Sequence, residues 1–296
     1  MTTTLDLQQP PTAAESPGRR LLRRTFRSPS ALIGAVILIA LVLASLAAPL
    51  LTAADPNAMN PSQALRPPSL VHPMGTDNIG RDNLARFLYG GRLSLLVGVI
   101  AIAIGATAGI TIGAVAGYFG GWVDSVLSWA MDVLISFPDV LLALAMIAVL
   151  GPGLTNAMIA VGIAFVPGFA RLTRSSVLSI RELNYVEAAR ALGASDVSIL
   201  LGHLLPNSLR PLLVLTTLSI GSAILTGAAL SFLGLGAQPP TPEWGAMLNA
   251  GQKFVRQAWW LTLFPGIGIF LTILSLNLLG DALSDAAAGG SGRRSN

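Results

Sequence analysis

The chain has 296 residues, of which 53% are apolar and only 11% charged. A soluble domain carries about 25% charged residues, so much of this chain's surface is expected to face something other than water. Cysteine is absent, which excludes disulfides and thiolate metal sites, and the two histidines, His72 and His203, lie far apart in sequence, which speaks against a zinc site. The sole lysine, Lys253, follows Gly251 and Gln252 and precedes no Ser or Thr. The Gly-Lys-Ser/Thr of an ATP-binding loop is therefore missing, and any ATP-driven work needs a partner.

Residues 1–30 are rich in Pro, Thr, Ser and Arg and read as a disordered arm. Residues 31–51 form an uncharged apolar run. It exceeds the roughly 7–15 residues of a signal-peptide core and is expected to stay as the first membrane span. The loop 52–92 contains Pro56, Pro61, Pro67, Pro68 and Pro73 and is irregular up to Asn83. Beyond it Leu84, Phe87 and Leu88 recur at helical spacing, which suggests a helix lying along the membrane surface. Further spans are expected over residues 93–118, 133–150, 154–170, 212–233 and 259–279. The fold class is therefore an all-α membrane protein with six transmembrane helices. A core over 93–285 holds five of them, and 286–296 form a disordered tail.

Arginine placement gives the orientation. Five arginines (Arg19, Arg20, Arg23, Arg24, Arg27) precede the first span. The connecting segment 171–210 carries Arg171, Arg174, Arg181, Arg190 and Arg210, and the tail carries Arg293 and Arg294. The opposite side holds Arg66, Arg81, Arg86, Arg92, Lys253 and Arg256. The excess places both termini on the cytoplasmic side of the membrane. It also explains the net charge of +4 without recourse to nucleic acid.

Three features within the spans invite functional readings. Gly105, Gly109, Gly113 and Gly117 repeat every four residues on one helix face. Such a seam lets two helices approach closely, either within the chain or against a second subunit. Asp139 follows Pro138 inside the third expected span, where a proline-broken helix beside a carboxylate can line a solute path or mark the water interface. No other charge lies deep in a span, which argues against proton or sodium coupling by buried carboxylates. No His-Glu-x-x-His motif is present, and His203 and His72 fall in loops on opposite sides, so catalysis by this chain has little support.

The segment 171–210 is amphipathic. Residues 185–193, Tyr-Val-Glu-Ala-Ala-Arg-Ala-Leu-Gly, read as a short helix ending at a glycine cap, Gly193. Ser195 or Asp196 is placed to cap a second short helix that buries Ile199, Leu200 and Leu204 and stops at Pro206. Pro211 suits the first turn of the fifth span. Two short helices meeting at a glycine make a protrusion that can enter a groove on a soluble partner, or an amphipathic loop that lies on the membrane.

Glu187-Ala188-Ala189, Gly193 and Leu205-Pro206 stand at the spacing of the EAA motif, and the chain resembles the permease subunits of bacterial ABC importers. His203 stands where that motif has isoleucine. His72-Pro73-Met74-Gly75-Thr76-Asp77, Tyr89 to Leu95, Ser231 to Gly236, Gln238 to Gly245 and Asn277 to Asp281 extend the resemblance to the C-type permease of dipeptide and oligopeptide importers. The resemblance implies the type I ABC importer permease fold. It also implies a homologous B-type permease as partner, two nucleotide-binding domains that bind ATP and Mg, an extracytoplasmic substrate-binding protein and a peptide cargo. No cofactor is expected in this chain. Glu187, Ala188, Ala189, Arg190, Gly193, Asp196, His203 and Pro206 would couple it to the ATPases. Pro239 to Trp244 are expected to form a rigid outer loop near the docked binding protein. The competing class is a stand-alone channel or carrier, for which a cytoplasmic protrusion has no use.

Overall fold

A computed structural model describes residues 23–288. Residues 1–22 of the expected arm and 289–296 of the expected tail, with Arg19, Arg20, Arg293 and Arg294, lie outside the described residues. The described residues are mainly helical apart from the irregular stretch 52–82, and among them a single isolated bridge between Thr76 and Asp82 stands in place of any sheet. In chain order the helices are α1 (Pro29–Leu46), α2 (Ala48–Leu51), α3 (Asn83–Phe119), α4 (Gly121–Ile135) and α5 (Asp139–Leu150). Then follow α6 (Leu154–Arg181), α7 (Asn184–Ala191), α8 (Asp196–Ile199), α9 (Leu205–Phe232), α10 (Trp244–Gln252) and α11 (Trp260–Ala288). Five helices are long and apolar enough to cross a membrane, and counting α4 and α5, bent by 95° at their break, as one broken span gives the expected six.

The most extensive pairing sets α3 against α6, and the glycine seam makes it possible. A Cβ on Gly105 would lie 2.9 Å from the Gly162 carbonyl, and one on Gly109 2.5 Å from both the Val166 carbonyl and Phe169 Cβ. Gly113 abuts the Ala170 carbonyl, and a Cβ on Gly117 would lie 3.0 Å from that of Arg174. All four are buried, so the seam serves packing within the chain and is closed to a second subunit. Beside it Ile102, Ile147, Val161, Phe169, Leu212 and Leu230 join α3, α5, α6 and α9 into the main apolar core.

Several boundaries differ from expectation. The stretch 83–92 does not lie on the membrane surface; it continues straight into the second span as one helix of 37 residues. Asp82 caps it by accepting the Ala85 amide at 2.8 Å, and Leu88 is buried against protein. α6 runs past residue 170 to Arg181, so the connecting segment proper begins at Glu182. The third span does not begin at Val133: the helix breaks at Ser136–Pro138, and Pro138 precedes α5 rather than interrupting it. Pro206 does not stop the helix, and Pro211 lies inside α9. A π turn over Leu200–Leu204, in which the Leu205 amide reaches back to the Leu200 carbonyl, widens the backbone ahead of Pro206. That widening accommodates a residue which lacks an N–H and whose ring crowds the preceding turn.

Candidate coupling site and membrane path

At the C-terminal end of α3 the segment 182–206 folds into a compact protrusion. α7 ends at a left-handed glycine, Gly193, with φ of +84°. The Gly193 amide donates to the Arg190 carbonyl at 3.0 Å and the Ala194 amide to that of Ala189 at 3.1 Å. This reciprocal pair closes the helix and turns the chain. Ser195, not Asp196, caps α8, its hydroxyl accepting from the Ser198 amide at 3.3 Å. Asp196 instead takes the Tyr118 hydroxyl at 2.5 Å, tying α8 to the end of α3. Arg181 donates to the Gly117 and Tyr118 carbonyls at 2.9 and 3.3 Å, satisfying the exposed carbonyl end of that helix. Beneath these bonds Tyr118, Val177, Val186, Ile199 and Leu204 form a small buried core, with Leu200 partly buried beside it. The protrusion is therefore fastened to α3 and α6 on one side.

Its other side is open and apolar. Leu192 is 88% exposed at the turn, and Val197 and Leu201 are exposed beside it. Ala188 and Gly193 are exposed too, while Ala189 is half-buried. No atom lies within 4 Å of a Cβ built on Gly193. A side chain there would therefore meet no steric block within this chain, and the demand for glycine comes from the backbone alone. Glu187 and Arg190 line a polar crevice of about 420 Å³ with Tyr118, Arg181 and Glu182. His203 sits half-buried with its ring edge against Tyr185, centroids 6.2 Å apart, and its carbonyl accepts from Asn207 at 2.6 Å. An aromatic contact thus fills the place of the motif's isoleucine. Pro206 is exposed at the start of α9.

The other candidates fall elsewhere. Pro138 and Asp139 are exposed at the 95° break, and Asp139 has no hydrogen-bond or ion-pair partner among the described residues. They belong to a different part of the chain from the protrusion. Sequence reasoning missed α4, whose polar face is pinned to α6. Arg174 forks onto Asp124, with Nη2 2.6 Å from Oδ2, and Arg171 meets Asp132 at 2.8 Å. Asp124, Ser128 and Asp132 recur every four residues, with Val126 and Trp129 between them and Trp122 and Val133 flanking them. That helical spacing was the available signal. At the opposite end of α3, Glu243 is fully buried and accepts from Ser94 Oγ and from the Gly245 and Ala246 amides, each at 2.9 Å. Trp244 is buried and stacks on Phe87. Of the expected outer loop, Pro239 to Trp244, only Pro239 and Pro240 are exposed; Thr241 is half-buried, and Pro242 to Trp244 are buried as a structural knot.

The described residues thus form a multi-span helical membrane body with one fastened protrusion whose free side exposes Leu192, Val197 and Leu201. Residues 109–288 match the family described as the binding-protein-dependent transport system inner membrane component. Residues 16–68 match the N-terminal TM domain of oligopeptide transport permease C. The chain is 46% identical over 273 residues to the dipeptide transport system permease protein DppC of Alkalihalophilus pseudofirmus, covering 92% of this chain and 90% of that one. It is 42% identical to the glutathione transport system permease protein GsiD of Pectobacterium atrosepticum, covering 93% and 91%. Its fold resembles a chain of the inward-facing MetNI methionine ABC transporter, with a TM-score of 0.54 and 18% identity over 68% of this chain and 95% of that one. The chain belongs to the family of binding-protein-dependent transport system inner membrane components.

Proposed function

We propose that this chain imports dipeptides or other short peptides together with a second, homologous permease, and that residues 184–206 couple it to the ATPase subunits. One observation carries the coupling assignment. The protrusion is rigidly fastened to α3 and α6 through Tyr118–Asp196, Arg181 and its own core, while its free side presents Leu192, Val197 and Leu201 to the surroundings. An apolar surface on a braced knob suits a groove on a soluble protein. Motion imposed on it passes directly into two spanning helices, because Asp196 and Arg181 grip the end of α3 and α6 leads into it. Glu187, Ala188, Ala189, Arg190 and Gly193 form the half of the knob that enters the groove; Asp196, His203 and Pro206 carry the load to α3 and α9.

ATP and Mg are bound by the ATPase partner, and this chain supplies no catalytic group. The break at Pro138 and Asp139 gives α5 a free N-terminal end at the cytoplasmic side of the path, where its exposed carboxylate meets passing cargo. Both termini lie on the ATPase side, in the inner membrane. The peptide cargo rests on similarity to permeases named for dipeptide, peptide and glutathione transport. An extracytoplasmic binding protein supplies that cargo.

The test is affinity capture of the chain from its native membrane in mild detergent, with mass spectrometry of what accompanies it. A homologous permease and a Walker-motif ATPase are expected. Recovery of the chain alone, also after crosslinking, would overturn the reading in favour of a stand-alone carrier.

A further inference from the structure

The loop 66–76 is a closed hairpin. The Arg66 amide donates to Thr76 Oγ1 at 2.9 Å and the Thr76 amide to the Arg66 carbonyl at 3.0 Å. At its tip the Ser69 amide reaches the His72 carbonyl at 2.9 Å, and the His72 amide reaches Ser69 Oγ at 3.1 Å. The two residues between them are Leu70 and Val71, fully and 78% exposed respectively. Turn chemistry calls for Gly, Asn, Asp or Ser at such a tip, so two large aliphatic residues are not there to make the turn. The hairpin is also well anchored. The His72 ring lies 2.8 Å from Asp82 and 2.9 Å from Gln63, and Trp260 Nε1 donates to the Thr76 carbonyl at 3.1 Å.

The height of this tip rules out the lipid core as what covers it. α1, of 18 residues, is about 27 Å long at 1.5 Å per residue, close to the roughly 30 Å of a hydrocarbon core. Its last carbonyls, Ser45 and Leu46, each accept from Arg92 at 2.7 Å, which sets Arg92 at the membrane edge. The apolar run of α3 begins at the next residue, Leu93. Residues 83–92 of α3 therefore rise from that edge to about 14 Å beyond it at Asn83. The hairpin is tied through His72 to Asp82, the residue capping that outer end. It also lies at the end of α3 opposite the coupling protrusion, which contacts Tyr118.

We propose that Leu70 and Val71 form a rigid apolar tip that docks into the extracytoplasmic substrate-binding protein. The inference rests on the importer reading above, which supplies both the partner and the side. A braced hairpin gives up little conformational freedom on docking, so the burial of two aliphatic side chains is retained as affinity.

The experiment uses the whole complex in nanodiscs and the binding protein that co-purifies with it. Fluorescence anisotropy of the labelled binding protein gives Kd, and ATP hydrolysis is followed with and without it. In Leu70→Asp/Val71→Asp, Kd is expected to rise at least tenfold and stimulation to fall in step, with basal hydrolysis unchanged. Leu70→Met/Val71→Ile is expected to bind like the wild type. A Kd for the aspartate variant within twofold of wild type would overturn the proposal. So would quenching of a fluorophore on Leu70→Cys by spin-labelled lipid, which would put the tip in the membrane. A wild-type complex that recruits no binding protein would instead remove the importer reading on which the inference stands.

Discussion

Gly193 offers the sharpest single-residue test of the coupling protrusion. Its φ of +84° is a conformation that side-chain-bearing residues rarely adopt. Replacing it with alanine costs about 1–2 kcal/mol of backbone strain, while asparagine tolerates the region better. No neighbour lies within 4 Å of the added carbon, so the spans and their packing are untouched. The strain therefore falls on α7, which has only 8 residues and depends on the closing bonds of Gly193 and Ala194. At about 1.4 kcal/mol per factor of ten, the docking-competent form of the knob loses roughly 5–30-fold in population relative to a relaxed one. Uptake of a labelled dipeptide and ATP hydrolysis, measured in proteoliposomes, should both register this. Gly193→Ala and Gly193→Leu are expected to insert normally but to lose most uptake and its coupling to hydrolysis, and Gly193→Asn to retain clearly more. Wild-type uptake by Gly193→Leu, or an asparagine variant as impaired as the alanine one, would refute the backbone argument.

Other perturbations probe the frame that holds the knob. Gly109→Leu forces a side chain against a backbone carbonyl already 2.5 Å from its Cβ position. It should cost at least the 1–3 kcal/mol typical of overpacking, seen as a lower Tm in detergent. Asp124→Arg should free α4 at a cost of about 1 kcal/mol, kept small because Arg174 is 36% exposed. Faster amide exchange across α4 is the readout, and the swap Asp124→Arg/Arg174→Asp should restore protection. Glu243→Ala strands the Ser94 hydroxyl and the Gly245 and Ala246 amides in a buried place. A loss of about 2–5 kcal/mol is expected, again as a Tm shift, with Glu243→Gln in between.

The spans were legible because lipid admits only long apolar helices, and runs such as 31–51 and 93–118 meet that demand without charges. Boundaries drifted wherever protein replaces lipid. The N-terminal turns of α3 rest on the 52–82 loop and on α10. The end of α6 is dressed with arginines that pair with α4 and cap α3. The glycine seam was read correctly as a close helix approach, and only the contacts of its four members decided that the partner is α6 of the same chain. Pro206 misled because a π turn, invisible to residue-by-residue reading, lets the helix pass. In the protrusion, Gly193 and the apolar positions Ile199 and Leu204 were legible from local chemistry. The Tyr118–Asp196 bond was not, since it joins residues 78 apart in sequence.

The absence of cysteine makes one measurement especially direct. Leu192→Cys places a unique thiol on the exposed tip of the protrusion, 88% accessible and outside its buried core. A short photoactivatable crosslinker on that thiol, in native membranes, should capture an ATPase subunit, in a yield that changes when ATP is bound. Capture of lipid alone, with no ATPase adduct from membranes that contain the assembled complex, would contradict the assignment of residues 184–206 as the coupling element.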